Sequence, residues 1–136
     1  MKKLGYLLFT LLVVGCQNKR DVLPRQARIL VGKWEQIAYE DRNSVWVDTP
    51  TDGKPSLIVR SDGVLLYGDG LAMCCPPLKL IVNFVPFKAK PTSPIPYNEL
   101  CNRVDCVSCK VAEFQVNGNE MIRSECGRLI RYRRLP

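Results

Sequence analysis

Seven cysteines and a lack of histidine constrain this chain of 136 residues more than any other feature. Histidine is the commonest general base, the usual partner of a serine or cysteine nucleophile, and a frequent metal ligand. Its absence lowers the probability of most enzyme classes, and no pair of carboxylates stands at a recognisable catalytic spacing. The sequence therefore predicts a protein that is not an enzyme and that needs no cofactor.

The N-terminus has the pattern of an export signal. Two lysines near the start precede an apolar run, residues 4–14, that is too short to span a membrane as a helix. The run ends at Val13-Val14-Gly15-Cys16, which resembles the lipobox of bacterial lipoproteins, where a small residue precedes a cysteine acylated on sulfur. The resemblance implies that residues 1–15 are a signal peptide and that acyl chains such as palmitate on Cys16 anchor the protein to a lipid bilayer.

The residue after the lipobox bears on localisation. Gln17 stands where enteric lipoproteins retained in the inner membrane carry an aspartate. The resemblance therefore implies a protein of the bacterial cell envelope, anchored at the outer membrane. Residues 16–30 are expected to form a lipid-anchored tether with one helical turn, and residues 31–136 to form the folded domain.

The cysteines that follow Cys16 are even in number. In an exported chain of this size, such a set predicts three disulfides, because a small domain gains from cross-links. The two adjacent cysteines are not expected to bond to each other, so each should pair within residues 101–126. The pairing is otherwise left open. The six candidates are Cys74, Cys75, Cys101, Cys106, Cys109 and Cys126.

A metal site is the alternative use of these cysteines. The spacing Cys101-x4-Cys106-x2-Cys109, with Cys126 downstream, is similar to that of a plant-type ferredoxin cluster. A chain exported unfolded into an oxidising compartment would arrive without such a cluster, and a four-cysteine zinc site meets the same objection. We therefore expect structural disulfides and no metal.

Short alternating segments bounded by turn residues predict an all-β domain of eight strands. Ser61-Asp62-Gly63 is typical of a hairpin loop in which the glycine takes a left-handed conformation. Eight strands joined mainly by hairpins suit a small up-and-down barrel, and a two-sheet sandwich remains open. The predicted strands are residues 33–39, 44–48, 57–60, 64–67, 78–85, 111–116, 120–124 and 128–133.

The first strand carries a second resemblance. Gly32-Lys33-Trp34 is similar to the Gly-x-Trp that opens the first strand of lipocalins, and Arg131 or Arg128 is a candidate for the arginine that packs over that tryptophan. The resemblance implies a lipocalin-like β-barrel, here stapled by disulfides. The lipocalin Thr-Asp motif between late strands is missing, because Thr51-Asp52 falls in an early loop.

A barrel of this kind implies binding of a small apolar or amphipathic ligand in or at the mouth of the barrel. The alternative is a protein-interaction module, such as an envelope inhibitor or an accessory subunit of a surface complex, that uses the Cys/Pro-rich loops at 68–77 and 86–109. Nucleic acid is not an expected partner outside the cytoplasm, and the arginines of residues 128–134 are interpreted as charges that protect a solvated final or edge strand. The candidate lining residues are Trp34, Ile58, Leu65, Leu80, Val82, Phe84 and Phe114.

Overall fold

The structure is a computed structural model that describes residues 23–107 and 109–136. The predicted signal peptide and the predicted lipidation site Cys16 lie outside the described residues. Strands predominate in the described part, whose helical content is two short 3₁₀ helices, Arg25–Leu30 and Glu99–Arg103. In these ranges no helix is long and apolar enough to cross a membrane. The predicted all-β class is confirmed.

A single curled sheet with the shape of a half-barrel contains the nine strands of the described residues. They are β1 (Gly32–Glu40), β2 (Trp46–Asp48), β3 (Leu57–Val59), β4 (Leu65–Tyr67), β5 (Lys79–Val82), β6 (Val85–Phe87), β7 (Val111–Asn117), β8 (Glu120–Glu125) and β9 (Arg128–Arg134). Eight of these strands follow the order β4-β3-β1-β9-β8-β7-β5-β6, and β2 pairs with β1.

The half-barrel differs from the predicted up-and-down barrel in two respects. Within the described chain, the edge strands β4 and β6 do not pair with each other, so the sheet is not closed. In addition, β5 pairs with β7 in parallel, with Lys79 opposite Val111. The cause is the long segment 88–110, which leads the chain from β6 back to the far side of β5, so that β7 enters in the same direction as β5.

The predicted strand 78–85 is split in two by a tight turn. Asn83 and Phe84 have φ values of 43° and 69°, and positive φ at both central residues is typical of a two-residue hairpin turn that fits the strand twist. The Asn83 side chain holds the turn, because its oxygen accepts from the Val116 N–H at 2.8 Å and its amide donates to the Val116 carbonyl at 3.0 Å. Phe84 therefore leaves the alternation of the strand and is 89% exposed.

The concave face of the sheet is covered by the start of the described chain. Leu23 is buried, and Ala27 and Leu30 of the first 3₁₀ helix are fully buried against β5, β6 and β7. The prediction of a tether over residues 16–30 is therefore wrong for residues 23–30, which belong to the core. Sequence pattern does not show this burial because it comes from tertiary packing of a very short helix.

The last strand lies inside the sheet rather than at its edge. β9 pairs with β1 on one side and β8 on the other, so its arginines do not protect an exposed edge. Three of them contact neighbouring elements instead: Arg131 packs over Trp46, Arg133 pairs with Glu35, and Arg134 packs over Trp34. β9 is the final strand, as expected, but it is not an edge strand, and the interpretation of its arginines as charges that protect an edge is wrong.

Candidate functional site

Most of the predicted lining residues form a filled core. Five of the seven are buried, whereas Ile58 is half-buried and Phe84 is exposed in its turn. The buried ones belong to one hydrophobic cluster together with Leu30 and Met121. The centre of the half-barrel is therefore packed with side chains, and ligand space lies elsewhere. The five buried residues are Trp34, Leu65, Leu80, Val82 and Phe114.

A cavity of about 320 Å³, which we call the seam cavity, lies where the sheet fails to close. Leu65 of β4 and Leu80 of β5 contribute to it from the two sides, so the cavity includes two of the residues predicted to line a site. Lys88 is the charged residue of its lining. The main apolar lining residues are Val64, Leu65, Met73, Leu78, Leu80 and Ile95.

The Pro-rich segment after β6 forms one wall of the seam cavity and is held by polar contacts. The Arg60 guanidinium donates to the Pro94 carbonyl at 3.1 Å and also contacts Ser93. The Lys90 backbone N–H donates to the Asp62 carbonyl at 3.1 Å. The wall is therefore tied to the β3–β4 hairpin rather than left as a free loop. That hairpin has the predicted left-handed glycine, because Gly63 has a φ of 82°.

A second cavity of about 680 Å³, the arginine cavity, lies on the concave side near the disulfides. Arg123 is only 8% exposed and lies opposite Phe114 in the β7–β8 pairing, with its guanidinium carbon 5.8 Å from the centre of the Phe114 ring. Met73 lines both this cavity and the seam cavity. The main lining residues are Tyr67, Met73, Arg123, Glu125, Arg128 and Ile130.

The charges of the arginine cavity are incompletely paired. One terminal nitrogen of Arg123 contacts the Glu125 carboxylate, but its Nε is buried and has no hydrogen-bond partner among the described residues. Burial raises the pKa of the neighbouring Tyr132 hydroxyl, an effect that the positive charge of Arg123 only partly offsets. The Tyr132 hydroxyl therefore stays protonated at neutral pH and brings no negative charge to the arginine.

Sequence reasoning missed Arg123, although a signal existed. The alternation of β8 places Arg123 on the same face as Met121, which is buried in the core. A charged residue at an inward position of a strand is uncommon unless it is paired or functional. That inward position could have identified Arg123, but only if the register of the strand was known.

The Gly-x-Trp tryptophan is capped by an arginine other than those predicted. The guanidinium carbon of Arg134 lies 4.2 Å from the centre of the Trp34 ring, whereas Arg131 lies 4.4 Å from that of Trp46, on the other face. Arg128 lines the arginine cavity. The register decides this assignment, because Trp34 and Arg134 are direct partners in the β1–β9 pairing.

The predicted disulfide bonds are confirmed, and the structure assigns their pairing. Within the described residues, Cys74 bonds to Cys101, Cys75 to Cys106, and Cys109 to Cys126, with Cα–Cα distances of 4.7, 5.5 and 5.5 Å. The cysteines with ferredoxin-like spacing are thus divided among three disulfides. No group of three or more potential ligand side chains in residues 23–107 and 109–136 is arranged to hold a metal ion.

Large apolar side chains are exposed on the disulfide-linked segment. Tyr97 and Leu100 are each 66% exposed, and Val107 is 95% exposed. Three such side chains on one disulfide-linked segment make it a candidate contact surface. The comparisons add no further assignment, since no family model, no curated protein and no solved structure matches this chain. The geometry of the two cavities and of this segment is therefore the basis for assigning a function.

Proposed function

We propose that the protein is a lipid-anchored, lipocalin-like envelope protein that binds a small apolar molecule in the seam cavity. The observation that carries the proposal is the cavity itself, whose volume of about 320 Å³ falls in the range of small-molecule sites. Its lining is apolar apart from Lys88, so the ligand is expected to be a largely hydrocarbon body with at most one polar end.

Exposed apolar surface at the seam cavity supplies the driving force for ligand binding. Leu78 lines the cavity and is 68% exposed in the free protein. Covering such a side chain is favourable by about 1–2 kcal/mol, because burial of apolar surface contributes roughly 25 cal/mol per Å². The opposite wall, tied to Asp62 and Arg60, is already ordered, so binding does not require ordering of that segment.

The proposed anchor places the cavity close to a source of such ligands. Cys16 precedes Leu23, the first core residue of the described chain, by seven positions, which span at most about 25 Å. An acylated Cys16 would therefore keep the domain within a short distance of the outer membrane. Cells given labelled palmitate should incorporate the label into the protein, and Cys16→Ser should abolish both this labelling and sedimentation with membranes. Unchanged membrane association of Cys16→Ser would contradict the anchor.

The ligand site is tested with the full chain, naphthalene as a neutral apolar probe and isotope-labelled methionine methyl groups. Met73 lines the cavity, whereas Met121 is fully buried in the core and serves as the internal reference. Naphthalene should shift the Met73 methyl resonance saturably and leave that of Met121 unchanged. Ala89→Trp, which fills the cavity, should weaken binding at least about tenfold. Lys90→Trp, one residue away and outside the lining, should bind as the wild type does. Equal binding by the two variants would overturn the proposal.

A protein-interaction module is the second candidate, favoured by the exposed apolar side chains of the disulfide-linked segment. A photo-crosslinking residue at Leu100, placed in living cells, should give one discrete protein adduct. The same residue at Glu113, exposed on β7, is the control and should give none. Crosslinking from both positions, or from neither, would contradict this candidate.

A further inference from the structure

We infer that one end of the half-barrel docks on the anionic surface of the membrane, with the exposed Phe84 ring inserted at the level of the lipid headgroups. We call this the basal end. The strand pairings define it by three turns, at residues 60–64, 83–84 and 118–119, and by the start of β1. The inference rests on the proposed acyl anchor at Cys16. Three observations support it: the entry of the chain, the exposed turn at Phe84, and a surplus of positive charge.

The described chain enters the fold at the basal end. Leu23 lies beside the first of the three turns, since a Cβ at Gly63 would come within 2.9 Å of its side chain. The 3₁₀ helix Arg25–Leu30 then contacts β5, β6 and β7 and leads directly into β1. An acylated Cys16 precedes Leu23 by only seven positions. The anchor therefore keeps the basal end, rather than the opposite end, next to the bilayer.

The turn at Phe84 presents a large aromatic ring to solvent. Phe84 is 89% exposed, and its positive φ is a costly conformation for a residue with a bulky side chain. Glycine would suit this turn better, and so exposed a ring adds little apolar burial to the fold. The Asn83 side chain holds the turn through the Val116 backbone, so the ring is positioned before docking. Apolar insertion at the headgroup level gives such a ring a use.

The basal end carries more exposed positive than negative charge. Arg25 of the 3₁₀ helix and Lys33 at the start of β1 are exposed, as is Lys90, whose backbone N–H donates to the Asp62 carbonyl of the first turn. Among the acids in or directly next to the three turns, Asp62 is buried in an ion pair and Glu120 is exposed. Anionic lipid headgroups attract a surface with this surplus.

The acylated protein tests the docking when it is reconstituted into vesicles of phosphatidylglycerol and phosphatidylcholine, with and without bromine in the acyl chains. Bromine quenches tryptophan emission only at short range. The emission that Phe84→Trp adds to the wild-type signal should fall at least about twofold in the brominated vesicles, because an inserted ring reaches the acyl boundary. Ile29→Trp, at a position 42% exposed on the 3₁₀ helix, should also be quenched.

Two controls test the direction and the charge of the docking. Val45 is 55% exposed in the turn between β1 and β2, at the opposite end of the sheet, so the emission added by Val45→Trp should not be quenched. In vesicles of phosphatidylcholine alone, the quenching of Phe84→Trp should weaken, because the anionic headgroups are absent.

Flotation of the vesicles separates the anchor from the docking. Protein that floats with the vesicles while neither Phe84→Trp nor Ile29→Trp is quenched would overturn the inference and leave the anchor intact. Equal quenching of Val45→Trp, or equal quenching in neutral vesicles, would also overturn it. Protein that does not float would overturn both proposals. If Phe84→Trp does not fold, as judged by circular dichroism, Ile29→Trp decides. Naphthalene binding in the seam cavity is tested separately by Ala89→Trp.

Discussion

The buried carboxylate of Asp62 accepts a hydrogen bond of 2.9 Å from the backbone N–H of Thr92, thirty residues later in the chain. Burial of Asp62 acts to raise its pKa, but hydrogen bonds from Thr92, Arg60 and Val64 together hold the pKa below its ordinary value. A carboxylate with a lowered folded-state pKa stabilises the fold above its unfolded pKa, and this contribution is lost as pH falls through the folded pKa.

Asp62→Asn should therefore lower the free energy of unfolding by about 2 kcal/mol at pH 7, since it weakens a charge-assisted network. The difference from the wild type should stay constant from about pH 5 to 8 and shrink below about pH 4, where Asp62 takes up a proton first in the unfolded chain and, at lower pH, in the folded protein. Urea denaturation of both proteins at a series of pH values measures this difference in the free energy of unfolding. A difference that persists unchanged at pH 2 would show that the Asp62 charge is not the cause.

Arg134→Met should destabilise the protein more than Arg131→Met. Arg134 packs over the buried Trp34 and also donates to the Val31 carbonyl at 2.7 Å and to the Ile29 carbonyl, whereas Arg131 packs over the half-buried Trp46. Expected losses are about 2–3 kcal/mol for Arg134→Met and at most about 1 kcal/mol for Arg131→Met. Denaturant unfolding monitored by tryptophan fluorescence gives both values. Equal losses would contradict a structural role for the Trp34 cap.

Gly63→Ala and Gly118→Ala separate backbone strain from packing. Both glycines have positive φ, but a Cβ at Gly63 would come within 2.9 Å of Leu23 and 3.1 Å of Phe87, while one at Gly118 would meet nothing within 4 Å. Gly118→Ala should cost about 1 kcal/mol, and Gly63→Ala about 2–3 kcal/mol. Thermal unfolding of the two variants makes the comparison. Equal losses of stability would mean that Leu23 and Phe87 do not pack tightly against Gly63.

Removal of one disulfide should loosen the loop segment more than the sheet. The double variant Cys75→Ser, Cys106→Ser opens a link across 31 residues, and the unfolded chain gains entropy equivalent to about 3.5 kcal/mol. Amide hydrogen exchange should accelerate over residues 96–107 while β8 and β9 stay protected until global unfolding. Uniform acceleration across β8 and β9 would contradict a local role for this bond.

Local sequence signals predicted part of this architecture. The Ser61-Asp62-Gly63 hairpin could be predicted because glycine easily adopts the left-handed backbone conformation that the turn requires. The all-β class could be predicted from the alternation of apolar and polar residues. The turn at Asn83-Phe84 escaped prediction because Leu80, Val82 and Phe84 keep the alternation of one continuous strand, and phenylalanine is rare at positive φ.

The positions of the candidate sites depend on how distant strands align with one another, and a single sequence does not contain this information. Trp34 meets Arg134 rather than Arg131 because of one specific alignment of β1 with β9, and a slip of one residue would reverse the faces. The seam cavity has the same origin. Leu65 and Leu80 were predicted as lining residues, but the cavity between them exists only because β4 and β6 do not pair in the described chain.

The burial of Leu23 and of the first 3₁₀ helix also has a mechanical meaning. If the membrane holds the protein at Cys16, tension along the chain would act on the buried Leu23, only seven positions later. The helix contacts β5, β6 and β7. A force that extracts Leu23 and Leu30 would therefore separate the helix from the concave face before any strand separates from its neighbour. An attachment at Cys16 would thus also determine the place from which an applied force most readily opens this fold.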